Sequence, residues 1–571
     1  MLKRYLPILA WLPHYNTRLC GADLLAGIIV TVMVIPQSLA YAILAGLPAV
    51  VGLYASILPL LAYTLFGTSR TLAVGPVAIL ALMTGAALAG VAPPGSAEYL
   101  EATMVLALLS GLMLAAMGMM KLGFFANFLS HPVISGFLTA SGILIAASQA
   151  ANLLGISGSG FTVMELTVSL VTDITNTHWP TLVIGTGCLA FLVLMRRRGQ
   201  WLLTRLWLGP GLASLLAKAG PVFAVIVTTL VSWRFDLAAS GVAVVGAIPK
   251  GLPPLTFPSV DLPLWRELLV PALLISVVGF VESVSMGQML AAKRRQRISP
   301  NQELIGLGSA NIAAAISAGM PVTGGLSRTV INFDAGAQTP AAGTFAALGI
   351  GLVTLAMTPL LYHLPIATLA ATITVSILTL VDIKMIKQTW RYSRSDFAAM
   401  AVTIGLTLVE GVEAGIIAGV SLSVGLFLYR TSRPHSALVG RVPGTEHFRN
   451  VARHEVESAS HVALLRIDES LYFANARYLE DTVYNLVASR PELEHVVLIC
   501  SAVNLIDASA LESLDAINAR LKDSHVTLHL AEVKGPVMDR LNNSDFLDEL
   551  TGRVFLSTFA AWSELRRRPT E

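Results

Sequence analysis

The sequence contains few charged residues and few cysteines, and each shortage excludes a class of protein. Only 13% of its 571 residues are charged and 54% are hydrophobic, which is too apolar for a soluble globular protein. The three cysteines, Cys20, Cys188 and Cys500, are widely spaced and odd in number, which indicates neither a disulfide framework nor a zinc site. A net charge of +3 is too small to indicate nucleic-acid binding.

Two motifs are also missing from the sequence. It has no phosphate-binding loop ending in Gly-Lys-Ser, so we expect no ATP-driven transport, no enzyme activity, no cofactor and no metal site. It has no evident cleavable signal peptide, because Lys3 and Arg4 are soon followed by Pro7 and Pro13.

Long uncharged runs fill the chain to about Tyr429, and charged residues recur every few positions beyond it. A membrane-spanning helix needs roughly 20 mostly apolar residues. We therefore expect a cytoplasmic N-terminal segment (1–22), a transmembrane domain (23–430) and a cytoplasmic linker with a soluble domain (431–571). Fourteen spans are predicted, near residues 23–42, 47–67, 72–91, 100–120, 132–154, 180–195, 219–233, 266–290, 301–318, 320–337, 341–362, 364–381, 397–411 and 413–430.

The basic residues between the spans predict the orientation of the chain, because short cytoplasmic loops carry most Lys and Arg. With the N-terminus inside, the even-numbered spans end inside, and those ends hold most of the loop cations. These are Arg70, Lys121, Arg196 to Arg198, Lys293 to Arg295, Arg297, Lys384, Lys387, Arg391, Arg430 and Arg433. The sequence thus predicts a multi-pass protein of the cell inner (plasma) membrane with both termini in the cytoplasm.

Two places interrupt the helical pattern in a related way. Residues 70–76 (RTLAVGP) and, about 250 residues later, residues 319–328 (GMPVTGGLSR) each place a Gly and Pro break before an apolar helix. Breaks at corresponding positions of two seven-span halves indicate an inverted repeat with a binding site between them. Two unrelated kinks are the alternative, since Gly and Pro are frequent in membrane helices.

These breaks predict an anion site. Non-helical backbone at membrane depth must line a cavity or be covered by protein, and each half-helix directs unpaired N–H groups and a positive dipole end of roughly +0.5 charge towards it. Arg328 falls in the first turn of the second half-helix, and a cation at that depth costs at least ~2.5 kcal/mol unless it binds something. The alternative is an Arg328 that snorkels to the interface or pairs with Glu282.

Three other polar residues belong to this hypothesis. Glu282 cancels part of the positive field when it is ionised and restores it when protonated, so binding of a dianion would favour proton uptake. A fixed ion pair between Glu282 and Arg328 is the alternative. Gln37 and Tyr41 are four residues apart on one helix face and can donate to anion oxygens, although such residues also join membrane helices to one another.

The tail from about residue 435 predicts a small α/β domain. Strands are expected at 462–467, 495–500 and 526–530, with helices at 475–489 and 508–522 between them. This alternation is typical of a sheet with helices packed against it.

Several blocks of the sequence resemble one family, the SulP sulfate permeases, which are related to prestin, pendrin and plant sulfate transporters. The matching blocks are residues 35–42 (IPQSLAYA), 44–48 (LAGLP), 52–54 (GLY), 69–70 (SR), 73–78 (AVGPVA), 127–136 (NFLSHPVISG) and 326–329 (LSRT) with Asn332. The likeness runs from about residue 15 to the end, because the tail resembles the STAS domain of this family.

The resemblance implies fourteen segments in two inverted repeats of seven, a homodimer, and an elevator movement of a core domain (spans 1–4 and 8–11) against a gate domain (spans 5–7 and 12–14). It also implies a proton-coupling carboxylate at Glu282. The sodium-dependent bicarbonate branch is less similar, because it has Asp at that position and Thr at the position of Met286. The substrate site that the resemblance implies comprises Gln37, Tyr41, Val74, Gly75, Ser327 and Arg328.

The STAS resemblance adds Ser509 as a possible phosphorylation site, since a Ser in a similar setting is modified in STAS domains that antagonise anti-sigma factors. Asn504 and Asp507 precede it at the start of a predicted helix. The alternative is that an Asp or Ser at this position only caps the helix. A cytoplasmic protein could also bind this domain.

Taken together, these patterns predict a secondary transporter that imports an oxyanion, sulfate first, by proton symport. A C4-dicarboxylate or bicarbonate carrier is the alternative of the same fold. From another class, the membrane part could be an anion receptor that signals through the tail. The expected partners are a small anion, protons, membrane lipid and a second copy of the chain.

Overall fold

The computed structural model describes residues 5–127, 130–158, 160, 162–205, 209, 213, 216–217 and 219–567. The chain divides into two compact units, Met1–Ser423 and Val424–Glu571. The first unit is almost wholly helical, and the second combines a sheet with helices.

The helices of the first unit, the last of which continues past Ser423, follow the apolar runs of the sequence. In chain order they are Ile8–Trp11, Thr17–Leu44, Ala49–Tyr54, Leu58–Phe66, Ala78–Leu88, Ala97–Met119, His131–Leu154, Val163–Asp173, Trp179–Arg205, Gly220–Arg234, Leu262–Lys293, Pro300–Ile316, Leu326–Asp334, Ala341–Ala356, Ile366–Ile377, Ile383–Tyr392, Arg394–Val409 and Val412–Ser432. Short 3-10 turns lie at Leu12–His14, Leu122–Asn127, Ile174–Asn176, Thr358–Leu361 and Leu378–Leu380.

Each of the fourteen predicted spans overlaps at least one of these helices. Eight helical stretches in the described part of the chain are long and apolar enough to cross a membrane, and three shorter apolar helices accompany them. The count of fourteen spans and the inverted repeat stay predictions.

Three helical features differ from the predictions. Helix Trp179–Arg205 extends beyond the predicted span 180–195 and continues through Arg196 to Arg198. Arginine is a good helix former, and its long side chain can reach water from a helix. Helices Val163–Asp173 and Ile383–Tyr392 were not predicted, because they are too short or too polar for a search based on spanning length.

Small residues allow close helix packing in the first unit. A Cβ atom added at Gly111 would lie 2.7 Å from the Ile312 backbone N, and one added at Gly308 would lie 2.7 Å from the Ala115 N. Helices Ala97–Met119 and Pro300–Ile316 therefore approach backbone to backbone, which is how helices associate where the hydrophobic effect is weak.

The second unit contains a six-stranded sheet. Its strands, in spatial order, are Phe448–Asn450, Ser436–Arg441, Val462–Ile467, His495–Ile499, Thr527–Ala531 and Val554–Phe555. The first two pairings are antiparallel and the remaining three are parallel. The accompanying helices are Ala476–Ser489, Ala508–Asp523, Gly535–Leu541, Phe546–Glu549 and Thr558–Leu565.

The α/β prediction for this tail is confirmed, including its three central strands. Strands Val462–Ile467, His495–Ile499 and Thr527–Ala531 are almost completely buried, as expected for parallel strands covered on both faces. The three outer strands were missed, because they are short or carry polar residues that interrupt an apolar run.

Candidate functional site

The two interruptions of the helical pattern meet as a short antiparallel ladder. Val74 pairs with Gly324, and Gly75 pairs with Thr323. We call residues 71–77 the first break and residues 319–325 the second break. Each is followed by a half-helix, Ala78–Leu88 after the first and Leu326–Asp334 after the second.

Local sequence explains why the backbone is extended at these positions. Pro76 cannot donate a hydrogen bond and disfavours a helical conformation at Gly75. Buried backbone groups in such a segment must find other partners. In the second break, the Asn311 side chain accepts from the Val322 N–H at 2.9 Å and donates to the Val322 carbonyl at 2.8 Å, while Ser283 Oγ accepts from the Gly324 N–H at 2.8 Å.

Side chains of the second half-helix bind the backbone of the first break. Thr329 Oγ1 accepts from the Ala73 N–H at 3.2 Å. Asn332 Nδ2 donates to the Thr71 carbonyl at 2.9 Å, and Arg328 Nη2 donates to the carbonyl of Pro76. These three bonds, from one short helix, tie the two breaks into a single structural unit.

The guanidinium of Arg328 lies against two glycines. A Cβ atom added at Gly75 would lie 2.5 Å from Arg328 Nη1, and one added at Gly325 would lie 2.9 Å from Arg328 Nε. Only glycine at these positions leaves room for the guanidinium in this place. Arg328 is 2% exposed, and its Nη1 has no hydrogen-bond partner among the described residues. The site thus contains a buried cation with an unused N–H donor.

A cavity of about 40 Å³ lies where the two half-helices begin; we call it the small cavity. Neither half-helix has a side-chain cap at its N-terminus, so the first N–H groups of both retain their donor capacity. The two helix dipoles add positive potential at the same point. The small cavity is lined by Tyr41, Val77, Ala78, Ile79, Glu282, Gly325, Leu326, Ser327, Arg328, Ser376, Ile377, Thr379 and Leu380.

Glu282 brings a carboxyl group to the wall of the small cavity. Its Oε2 atom is buried and, like Arg328 Nη1, has no hydrogen-bond partner within the described ranges. The charges of the two residues nevertheless attract one another. Since these two atoms do not bond to each other, the Arg328 N–H can donate to a ligand and the Glu282 oxygen can take up a proton.

A second cavity of about 600 Å³, the large cavity, adjoins the small one. Both are lined by Leu326, Ser327, Ser376 and Thr379. The walls of the large cavity also include Gln37, Trp201, the basic residues Arg196 and Arg197, and the acidic Asp334. The large cavity therefore gives wide access to the small cavity, and its walls carry a net positive charge.

Arg196 also contacts the wall that faces Arg328. Its Nη1 donates to the Val375 carbonyl at 2.8 Å, in the last turn of helix Ile366–Ile377, where carbonyls lack partners within the helix. The bond fixes the end of this helix immediately before Ser376, which lines both cavities.

The predicted site residues fall in three places. Tyr41, Glu282, Ser327 and Arg328 line the small cavity, and Gln37 and Ser327 line the large one. Val74 and Gly75 form the strand of the first break, and Gly75 lies against the guanidinium of Arg328. Ser509 lies in the other unit of the chain.

Ser509 is exposed in the first turn of helix Ala508–Asp523. The cap of this helix is Asp507, whose Oδ1 accepts from the Ala510 N–H at 2.9 Å. The hydroxyl of Ser509 is therefore not needed as the cap, and its phosphorylation stays a prediction.

Sequence reasoning missed two groups of residues. Ser376 and Thr379 line both cavities, but a Ser and a Thr in an apolar span give no distinct signal. Glu303 is 1% exposed and accepts hydrogen bonds from Tyr63, Thr68 and Ser69. It anchors the loop before the first break, and an ionisable residue in a predicted span was the available signal.

No group of three His, Cys, Asp or Glu residues in the described part of the chain is placed to hold a metal ion. The groups that surround the small cavity are the N-termini of the two half-helices, the guanidinium of Arg328 and the carboxyl of Glu282.

Comparison with protein families gives two matches. Residues 21–403 match the sulfate permease family, and residues 453–561 match the STAS domain. Both breaks and the two cavities lie inside the first match.

Two relatives cover nearly the whole chain. The chain is 33% identical over 561 residues to Sulfate transporter 4.1, chloroplastic, of Arabidopsis thaliana, covering 96% of this chain and 80% of the relative. It is 32% identical over 561 residues to a probable sulfate transporter of Mycobacterium tuberculosis, covering 97% of each.

Solved structures share the fold. A structure of SLC26A9 superposes with a TM-score of 0.88 at 24% identity, covering 98% of this chain and 92% of that chain. The transmembrane domain of a cyanobacterium bicarbonate transporter, BicA, gives a TM-score of 0.59 at 22% identity, covering 71% of this chain and 98% of that one. A helical membrane domain with a C-terminal STAS domain is therefore confirmed as the fold class.

Proposed function

Because the chain belongs to the sulfate permease family, we propose that it is a secondary active transporter that imports sulfate together with protons. It is a multi-pass membrane anion transporter with a C-terminal STAS domain. The proposal has three parts: sulfate is the substrate, protons are the coupling ion, and transport occurs by an elevator movement.

The observation that carries the proposal is the positive charge around the small cavity. Two uncapped helix N-termini contribute roughly +0.5 each, and buried Arg328 contributes a full charge. The sum, roughly +2, matches a dianion. The unused Nη1 of Arg328 and the free N–H groups are suitable donors for the oxygens of such an anion.

The size of the small cavity favours a compact oxyanion. A water molecule needs roughly 10–15 Å³ of such space, so about 40 Å³ accommodates a few waters or one small tetrahedral anion. A C4-dicarboxylate would have to extend into the large cavity, away from the N-terminus of the first half-helix, whose residues Ala78 and Ile79 line the small cavity alone. Sulfate is therefore preferred over the dicarboxylate.

Glu282 supplies the proposed coupling. With its carboxylate ionised, the net positive charge beside the cavity falls to roughly +1, and protonation restores roughly +2. By linkage, a bound dianion favours the protonated carboxyl, and an external proton favours the bound dianion.

The packing of the breaks supports a moving core. The three bonds from Arg328, Thr329 and Asn332 hold both half-helices together, whereas the facing wall at Ser376 belongs to another helix and is braced by Arg196. We propose that the two breaks and their half-helices shift as one body against the helices that carry Ser376 and Arg196, in a homodimer of the inner membrane. The large cavity, on the side of Arg196 and Arg197, is then the cytoplasmic exit.

The decisive experiment is uptake of radiolabelled sulfate into proteoliposomes containing the purified full-length chain. We expect saturable uptake that rises with an inward proton gradient and is inhibited by unlabelled sulfate more strongly than by fumarate or bicarbonate. Binding of sulfate without sustained uptake would identify a receptor instead. Stronger inhibition by fumarate or bicarbonate would overturn the substrate assignment while leaving anion transport intact.

A further inference from the structure

Two adjoining cavities border the N-terminal segment, residues 5–14, and share no lining residue with the small or the large cavity. One, of about 330 Å³, is lined by His14, Arg70 and Arg297 together with Trp11. The other, of about 320 Å³, is lined by Lys121 and Met119. Both include Pro7, Ala10 and Thr68 in their walls, and we call the pair the basic groove.

The N-terminal segment is attached to the helical unit and carries exposed apolar side chains. Gln302 Nε2 donates to the Tyr5 carbonyl at 3.2 Å. Tyr5, Leu9 and Leu12 are 48%, 37% and 49% exposed. A short segment with Tyr, Trp and Leu side chains beside basic residues is typical of the membrane interface. The basic groove is therefore expected at the depth of the lipid headgroups.

The charges of the basic groove are not balanced by its walls. No Asp or Glu lines either cavity within the described ranges. Arg70 and Arg297 are exposed, and Arg70 repels the neighbouring Arg294. Two buried acids lie near the groove without lining it, and neutral groups donate hydrogen bonds to both. Glu303 is 1% exposed and accepts from Tyr63, Thr68 and Ser69. Asp23 is 0% exposed and accepts from Gln338 and Thr339.

The groove also contains an unused neutral donor. The indole Nε1 of Trp11 is buried and has no hydrogen-bond partner among the described residues. An indole N–H donates only, so it requires an acceptor. Two guanidinium groups and an indole N–H around one space are suited to the oxygens of a phosphate group.

We propose that the basic groove binds the headgroup phosphate of an anionic phospholipid in the cytoplasmic leaflet. A lipid accounts for more of the observations than a free anion does, because Leu9, Leu12 and the 67% exposed Met119 lie beside the charged walls, where acyl chains would run. Basic pockets between membrane helices on this side of a bilayer are suited to anionic headgroups. The proposal does not depend on the transported substrate.

The test measures lipid binding directly. Wild-type protein and the double variant Arg70→Gln/Arg297→Gln are reconstituted in phosphatidylcholine containing phosphatidylglycerol, extracted in mild detergent, and analysed by native mass spectrometry for retained lipid. The control, Arg198→Gln/Arg391→Gln, removes the same charge from exposed positions outside the groove. We expect the first variant to bind phosphatidylglycerol about 30-fold more weakly than the wild type, and the control to match the wild type.

Trp11 reports the same event by fluorescence. Addition of phosphatidylglycerol to delipidated protein should change an emission component that is absent from Trp11→Phe. Inorganic phosphate and sulfate are tested alone in the same assay. If these ions bind as tightly as the lipid, or if the two arginine pairs affect lipid retention equally, the proposal is overturned. Thermal melting of each variant separates lost binding from lost folding.

Discussion

The two breaks share a backbone shape but differ in chemistry. Each consists of a two-residue strand followed by an uncapped half-helix. The first half-helix, Ala78–Leu88, contributes no charged side chain to the small cavity, whereas the second contributes Arg328. The first break instead contributes the Pro76 carbonyl, which accepts a hydrogen bond from Arg328, and Gly75, against which the guanidinium packs.

The difference shows how a repeated geometry can make one asymmetric site. Two opposed helix N-termini create positive potential from backbone alone, and this part is common to both breaks. A second buried guanidinium on the first half-helix would add a desolvation cost and a repulsion. One arginine, bonded across to the opposite break, supplies the charge and joins the two segments.

The largest effect is expected from removing the charge that distinguishes the second break. Arg328→Ala should reduce sulfate uptake by about 100-fold or more, because truncating a buried charge typically costs 2–5 kcal/mol of binding. Uptake into proteoliposomes measures this. Arg328→Lys should recover part of the activity, since it keeps the charge without the fork-shaped donor geometry.

Arg198→Ala is the matched control for this substitution, because Arg198 is exposed and lines neither cavity. Near-normal saturable uptake by Arg328→Ala would remove the guanidinium from the proposed site.

The next effect concerns the carboxyl group beside the second break. Glu282→Gln should transport sulfate at a rate that no longer responds to an inward proton gradient, because its neutral amide mimics the protonated acid. Initial uptake rates at two external pH values measure this. His529 in the STAS domain does not account for a response to mild acid. Its burial lowers its pKa to about 4, so its imidazole stays neutral in that range.

Glu267→Gln on the same helix is the control, since Glu267 is exposed. A Glu282→Gln protein that is still accelerated by acid outside would show that another group carries the proton.

A smaller effect is expected from changing the surface of the first break. Gly75→Ala places a methyl group 2.5 Å from the present position of Arg328 Nη1, so the guanidinium must move. We expect the KM for sulfate to rise about tenfold, which corresponds to about 1.4 kcal/mol, while kcat changes less. In Gly90→Ala, where the added methyl meets no atom of a described residue within 4 Å, both constants should stay at their wild-type values.

Equal kinetics for Gly75→Ala and Gly90→Ala would mean that the first break does not position the arginine.

The smallest effect lies outside both breaks. Arg196→Gln removes the hydrogen bond to the Val375 carbonyl and should raise the KM for sulfate about threefold, because the wall at Ser376 loses a brace. Arg197→Gln removes the same charge from the same cavity without touching that bond. If the two variants raise KM equally, Arg196 acts through its charge and not through the wall.

The sequence contained the main chemical information about the site. Arg328 and Glu282 were identifiable because ionisable residues in apolar spans are costly and rare, and the two breaks because Gly and Pro interrupt helices in a readable way. The central strands of the tail were predictable for a similar reason, since buried parallel strands are continuous apolar runs.

The remaining features of the candidate site could not be predicted, because they depend on contacts between residues far apart in the chain. Nothing in the local pattern near Arg328 indicates that its guanidinium would bond to the Pro76 carbonyl, 252 residues away. Ser376 and Thr379 resemble any small polar residues in a membrane helix until the fold places them opposite Arg328. The partners of Glu303 could not be predicted either, because its hydrogen-bond donors belong to residues 63–69, far away in the sequence.

The sequence alone determined that the chain is a membrane domain followed by an α/β domain, and it predicted an anion site at two helix breaks. Composition and residue type suffice for these conclusions, because transfer of apolar and charged groups between water and lipid depends mainly on the groups themselves. Only the tertiary structure decided how large the site is, which residues form its far wall and how the arginine is held. Those properties depend on distances across the fold, and a linear pattern does not contain them.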